Sequence, residues 1–221
     1  GVLDLLGALG LEAVPVEIDD RGPLAGALAN VLDRRVEALI VTPRAQNPTG
    51  AALDPERAAE LRSVLQVHPK LLVIEDDHMG ETAGVPYATL LEATRARRAA
   101  VRSVSKALGP DLRVALVAAD AATTARVEGR QGVGVRWVSF LLQQLVAALW
   151  KDRSAQAAQR KAARLYAKRR QAALAALAAR GIEARGRSGH NIWVAVPDEA
   201  SACQGLLEEG WAVAAGARFR M

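Results

Sequence analysis

Along the chain, short runs of Val, Ile, Leu and Ala alternate with segments whose apolar residues recur every three or four positions. The short runs are VPVEID (14–19), ALIVTP (38–43), LLVIED (71–76), AVRSVS (100–105) and VALVAA (114–119). Nearly continuous hydrophobicity over so few residues marks strands covered on both faces, as in a mostly parallel sheet with helices above and below. Between the second and third runs, DPERAAELRSVLQVHP reads as a helix. Asp54 is placed to cap it, Pro55 suits its first turn, and Leu61 and Leu65 share a face. Only KALGPDLR separates the fourth run from the fifth. That is too short for the crossover a parallel pair requires, so the fifth strand is predicted antiparallel to the fourth.

After residue 120 the pattern turns helical, with helices predicted over 121–130, 136–151 and 153–180, the last closed by Gly181. A small α/β unit follows, with strands at IEAR (182–185), NIWVAV (191–196) and WAVAAG (211–216) and a helix over 199–209 opened by Pro197-Asp198-Glu199. The long helix divides a partial large domain, 1–152, from a linker helix and partial small domain, 153–221. The fold class is α/β. No internal repeat or low-complexity linker interrupts it. The basic run QRKAARLYAKRRQ spaces its charges among alanines and Leu165 as on a solvated helix. At the start, LDLLGALGLE has helical spacing with no capping residue ahead of it, and the chain stops just after WAVAAG. It is read as truncated at both ends.

Composition narrows the function classes. With 221 residues, 51% of them hydrophobic, the chain can bury a substantial core. No apolar run approaches the ~20 residues that cross a bilayer, and GVLDLLGALG lacks the basic leader of a signal peptide, so the expected compartment is the cytoplasm. Cys203 is the single cysteine, which excludes an internal disulfide and a multi-cysteine metal site. His68, His78 and His190 are scattered without ligand spacing, and no metal is expected. The net charge of +5 comes from arginines spread along the whole chain, a composition bias rather than a nucleic-acid surface.

In open α/β sheets ligands sit beyond the carboxyl ends of the parallel strands. Here ALIVTP runs into RAQNPTG, LLVIED into DHMGE and AVRSVS into KALGPDLR. Three strand ends therefore deliver an asparagine, an aspartate with a histidine, and a lysine with two serines and an arginine.

Through Asn47-Pro48-Thr49-Gly50, Glu75-Asp76-Asp77-His78 and Ser103-Val104-Ser105-Lys106, the sequence resembles the class I/II aminotransferase family of fold type I pyridoxal-phosphate enzymes. The wording VTPRAQNPTG, VIEDDH and RSVSKALGPDLR is similar to the aminotransferase-like domain of MocR-type GntR-family regulators. The resemblance covers essentially the whole chain. It implies pyridoxal 5'-phosphate as cofactor, held by Lys106 as a Schiff base, with the same amine shuttling the proton. Asp76 is then the carboxylate that keeps the ring nitrogen protonated. Asp77 reads as a helix N-cap after the strand. His78 stands where many relatives have a tyrosine hydrogen-bonded to the ring hydroxyl, and Asn47 donates to that oxygen or simply forms the Asn-Pro turn. Ser103, Ser105 and Arg113 match the phosphate grip. Alternation puts both serines on one strand face, and Gly109-Pro110 turns Arg113 back toward Lys106.

The resemblance also implies pieces that are not in this sequence. They are an upstream Gly/Ser/Ala phosphate loop, a ring-stacking aromatic, and two strands, one of which lies between 14–19 and 38–43. Residues 14–19 are accordingly expected to be displaced or poorly paired. The family's carboxylate-binding arginine falls beyond the end, Arg218 and Arg220 lying too early. The expected ligand is an amino acid or amine, as substrate or effector. The intact parent is expected to be a homodimer, with the apolar face of 134–150, bearing Trp137, Phe140 and Trp150, serving either the subunit boundary or the core. Two functions follow. One is amino-group transfer between amino and keto acids. The other is sensing of pyridoxal phosphate or an amine by a transcription regulator that reaches DNA through a domain absent here. A doubly wound α/β domain without this cofactor is the third alternative.

Overall fold

The computed structural model describes residues 2–219. The first helix, α1 (Val2–Ala8), buries none of its residues. Residues 14–19 stay out of the main sheet: only β1 (Ile18–Asp19) pairs, with β2 (Gly22–Pro23), in a two-residue hairpin. Then come α2 (Ala25–Leu32), β3 (Ala38–Val41), α3 (Pro55–Gln66), β4 (Leu72–Asp77), β5 (Arg98–Ser103) and β6 (Ala115–Ala119). The four long strands form one sheet in the order β3-β4-β5-β6, the first three parallel and β6 antiparallel to β5.

Asp54 caps α3 by accepting from the Arg57 N–H at 2.9 Å, and Leu61 and Leu65 are buried on its inner face. That face meets Leu28 and Leu32 of α2 and Leu39, Val41 and Val73 of the sheet, the largest cluster of the core. Arg95 closes the other end of α3. Its guanidinium donates to the carbonyls of Leu65, His68 and Leu71 at 2.7–3.1 Å, satisfying carbonyls that a helix terminus leaves unpaired.

The second half is built on α4 (Ala121–Val133), α5 (Phe140–Lys151) and α6 (Arg153–Ala178), then β7 (Ala184–Arg185), β8 (Trp193–Val194) and α7 (Glu199–Glu208). Asp120, Ser139, Asp152 and Asp198 cap the four helices through side-chain oxygens. Gly181 takes φ 72°, the left-handed conformation that ends the long helix region.

Several expectations are corrected. The fourth strand is Arg98–Ser103, not 100–105, because the chain coils back at once: the Leu108 N–H donates to the Val104 carbonyl at 2.8 Å. The helix expected from 136 starts at Phe140, after a turn in which Arg136 has φ 63°. WAVAAG forms no strand, and Trp211 and Val213 are exposed. The basic face of α6 is not wholly solvated. Arg170 is buried and donates to the carbonyls of Gly189 and Arg187 at 2.6 and 3.1 Å. Arg218 is exposed, and Arg220 lies outside the described residues.

Leu61→Ala removes a side chain with no exposed surface from the centre of this core. It is expected to cost about 2–5 kcal/mol in urea unfolding, against less than about 0.5 kcal/mol for Val133→Ala at an exposed position.

Candidate functional site

Register decides which carboxylate faces which way at the end of β4. Asp77 lies opposite Arg102 and Asp76 opposite Val101, so alternation sends Asp77 and Arg102 to the α3 face, and Asp76 and Ser103 to the other. Asp77 is therefore the buried acid, and its Oδ1 also accepts from the Gly80 N–H at 3.3 Å, where the short 3-10 turn Gly80–Ala83 begins. Arg44 donates to it twice, Nε and Nη2 each at 2.9 Å, and Arg102 Nε donates at 2.9 Å from the opposite side. Burial alone raises a carboxyl pKa, but the Arg44 hydrogen bonds and the charges of both arginines outweigh it and hold Asp77 below its ordinary value. Tyr87 lies 5.3 Å from both guanidinium carbons, and its hydroxyl donates to the fully buried Glu75.

Asp76 has the opposite environment. It is half-buried and accepts no hydrogen bond from the described residues. Burial raises its pKa, the His78 charge opposes that, and the Asp77 charge adds to it. A carboxyl group so placed gains by meeting a cation. His78 follows it on the same strand end.

Lys106 lies in the loop after β5, exposed. Its charge and that of His78 both act on His190, so the three belong to one cluster. Ser105 is not on the strand. The Ser105 N–H donates to Ser103 Oγ at 3.2 Å, a serine turn that brings together two residues expected to be paired by alternation. Arg113, exposed, takes φ 44° after the short helical turn Pro110–Leu112, and makes no ion pair among the described residues.

Asn47 is carried by the loop after β3. Its Oδ1 accepts from Asn191 Nδ2 at 3.1 Å, so the second half of the chain reaches the site. Gly50 makes that approach possible: it has φ 69°, and a Cβ there would lie 2.9 Å from the Asn191 carbonyl oxygen. Ser188 ties the two loops by accepting from the Ala45 N–H at 3.2 Å and donating to the Ala83 carbonyl at 3.0 Å.

Asn47, Asp76, His78, Ser103, Ser105 and Lys106 thus lie around the carboxyl ends of β3, β4 and β5, and Arg113 precedes β6 at the same end, where Ala115 pairs with Ser103. Sequence reading missed Arg44, Arg102 and His190. Arg44 carried a signal, an arginine just after a buried strand and the Pro43 turn. His190 sits between Gly189 and an apolar run, with no periodicity to mark it.

The sequence profile of the family described as aminotransferase class I and II matches residues 4–221. The vitamin B6 salvage pathway transcriptional repressor PtsJ of Salmonella typhimurium is 38% identical over 98% of this chain and 51% of its own length. The HTH-type transcriptional regulator TauR of Rhodobacter capsulatus is 29% identical over 89% of this chain and 41% of its own. The chain therefore spans about half the length of the curated relatives it matches. Among solved structures, LysN, an alpha-aminoadipate aminotransferase of Thermus thermophilus complexed with N-(5'-phosphopyridoxyl)-L-leucine, is 28% identical. It superposes with a TM-score of 0.79, over 92% of this chain and 55% of that one. A Thermus thermophilus aspartate aminotransferase mutant, 21% identical over 98% of this chain and 62% of that one, shares the fold at a TM-score of 0.88.

Asp77→Ala leaves two arginines without their acid and is expected to cost about 3–5 kcal/mol in urea unfolding. Because the folded pKa of Asp77 is lowered, its contribution is complete above the unfolded carboxyl value of about 3.9 and is lost as pH falls through the folded one. Asp77→Asn is expected to flatten that acid limb of the stability profile.

Proposed function

The chain belongs to the class I and II aminotransferase family and has the α/β fold of the fold type I pyridoxal-phosphate enzymes. From that premise we propose that it binds pyridoxal 5'-phosphate through Lys106 and acts on the amino group of an amino acid or amine. The observation that carries this reading is the placement of Asp76. It is a half-buried carboxyl group, its pKa raised by burial, with no hydrogen-bond donor among the described residues, on the sheet face it shares with Ser103 and beside the histidine–lysine cluster. Such a group fits a pyridinium nitrogen.

Pyridoxal phosphate supplies, when bound, an aldehyde for an amine and a sink for electrons released at the ligand's α-carbon. Lys106 Nζ would be the point at which the group is held and the base that moves the α-proton. Asp76 holds the proton on the ring nitrogen, a role that needs it ionised and so is favoured by the cation it meets. His78 and Asn47 would hydrogen-bond the ring's phenolic oxygen. Ser103 and Ser105 would offer hydroxyls to the phosphate, and Arg113 a positive charge.

The comparisons favour a second reading of the same site. The two curated relatives are transcriptional regulators, so the domain can serve as the effector-sensing part of a GntR/MocR-type protein that meets DNA through another domain. In both readings residues 1–152 are a partial large domain and 153–221 a linker helix with a partial small domain, paired in the parent as a homodimer. Exposed Trp137, Phe140 and Leu141 at the start of α5 support a covered face there. No helix among the described residues is long and apolar enough to cross a membrane.

Reconstituted with pyridoxal phosphate, the full-length protein is expected to show the visible absorbance of a lysine-bound cofactor, lost completely in Lys106→Ala. Absence of that band in the wild type refutes both readings. Net amino-group transfer from an amino acid identifies the enzyme. Salt-sensitive operator binding without turnover identifies the regulator.

A further inference from the structure

The segment 186–191 is fixed against the strand-end loops by its backbone. The Gly189 N–H donates to the Ala83 carbonyl at 2.9 Å, the Gly189 carbonyl accepts from Arg170 Nη1 at 2.6 Å, and the Arg187 and Ser188 N–H groups both donate to the Gly50 carbonyl. Gly189 has φ 71° and lies so close to Ala45 that no side chain fits between them. Its neighbour His190 is therefore carried by a rigid frame beside the strand-end loops; it is exposed, and the imidazole meets Tyr166 of α6 in an edge contact, ring centroids 4.2 Å apart.

The charges acting on that imidazole are Lys106 from the loop after β5, His78 from the end of β4 and Arg170 from α6. All are basic. Among the described residues neither Lys106 nor His190 has an ion-pair partner, and Arg170 is committed to the carbonyls of Gly189 and Arg187. Among the described residues the acid beside His78 on this sheet face is Asp76, which belongs to the ring nitrogen on the reading above, and Lys106 to the covalent bond. An anion arriving beside His190 therefore finds a basic surface with no competing carboxylate, and an oriented imidazole to meet it.

We propose that His190 is a ligand-binding residue contributed by the C-terminal unit, holding a carboxylate of the amino-acid-class ligand. The ligand class rests on the function proposed above. The cofactor phosphate is the other possible anion, but Ser103, Ser105 and Arg113 on the β5–β6 connection are assigned to it. Binding is coupled to pH. His190 is exposed, yet the partial desolvation it meets and the charges of Lys106, Arg170 and His78 lower its pKa, and a carboxylate beside it raises that pKa again. Carboxylate affinity is accordingly highest below the unliganded pKa and falls as pH rises through the liganded one.

The test uses proton NMR of the three histidine rings in the full-length protein from about pH 5.5 to 8, with propionate and, separately, inorganic phosphate as probes. Tyr166 edge shielding and the His190→Gln spectrum assign the resonance. Propionate is expected to move the His190 midpoint up by about one unit, equivalent to about a tenfold fall in affinity across the titration, and His190→Gln to abolish that pH dependence. A His190 midpoint unmoved by propionate, or moved by phosphate alone, overturns the proposal. Should the variant fail to fold, the wild-type titration still decides. The visible band reports the proposed function separately. A band with a silent His190 sinks only this inference, and a responsive His190 with no band sinks the function while leaving a carboxylate site.

Discussion

Asp77 is taken out of water at the carboxyl end of β4, and an ionised carboxylate survives there because Arg44 and Arg102 arrive from either side to meet it. Arg44 belongs to the loop after β3 and Arg102 to β5, so one acid ties together the ends of three strands. Those ends are the ones that carry Asn47, then Asp76 with His78, then Ser103 with Lys106. The clamp also settles orientation. A strand that commits Asp77 to one face must present Asp76 on the other, and that is the face on which Ser103 lies. Two adjacent aspartates thereby acquire opposite properties. One is held ionised by permanent cations, while the other is pushed by burial toward its neutral form and is stabilised by whatever cation is brought to it.

The second constraint comes from the far half of the chain. Glycines 50 and 189 permit backbone approaches that a Cβ would block, and through them the 186–191 segment closes over the loops that follow β3 and β4. Arg170 makes the long helix part of the same frame, and Arg187 reaches Asp54 at 3.1 Å, joining the segment to the cap of α3. A site built on three parallel strand ends is in this way finished by residues more than a hundred positions away. The relatives that share this architecture include both regulators and aminotransferases, and nothing in the arrangement of Lys106 and Asp76 separates those uses.

Much of this was legible in the sequence. The apolar runs located β3, β4, β5 and β6. The brevity of KALGPDLR fixed the reversal of β6, and Asp54-Pro55 marked the start of α3. The misses share a cause: they depend on partners distant in sequence. LLVIEDD is too uniformly apolar ahead of its acids for its sequence to say which aspartate points inward, and the alternating burial and the register against β5 reveal it. Ser105 follows a strand pattern until the chain coils at Lys106. WAVAAG has strand composition but joins no ladder among the described residues. Arg170 looks like any other charge on α6 until the Gly189 carbonyl is seen beside it, and His190 gains its place from backbone contacts that no local pattern encodes.

The account stands most directly on a crystal structure of the full-length protein with pyridoxal phosphate. It predicts continuous density from Lys106 Nζ, the Asp76 carboxylate about 2.7–3.0 Å from the ring nitrogen, and Asp77 still enclosed by Arg44 and Arg102 on the opposite face of β4. A structure in which Asp77 turns to the cofactor, or in which Lys106 stays in solvent with the cofactor bound elsewhere, contradicts it.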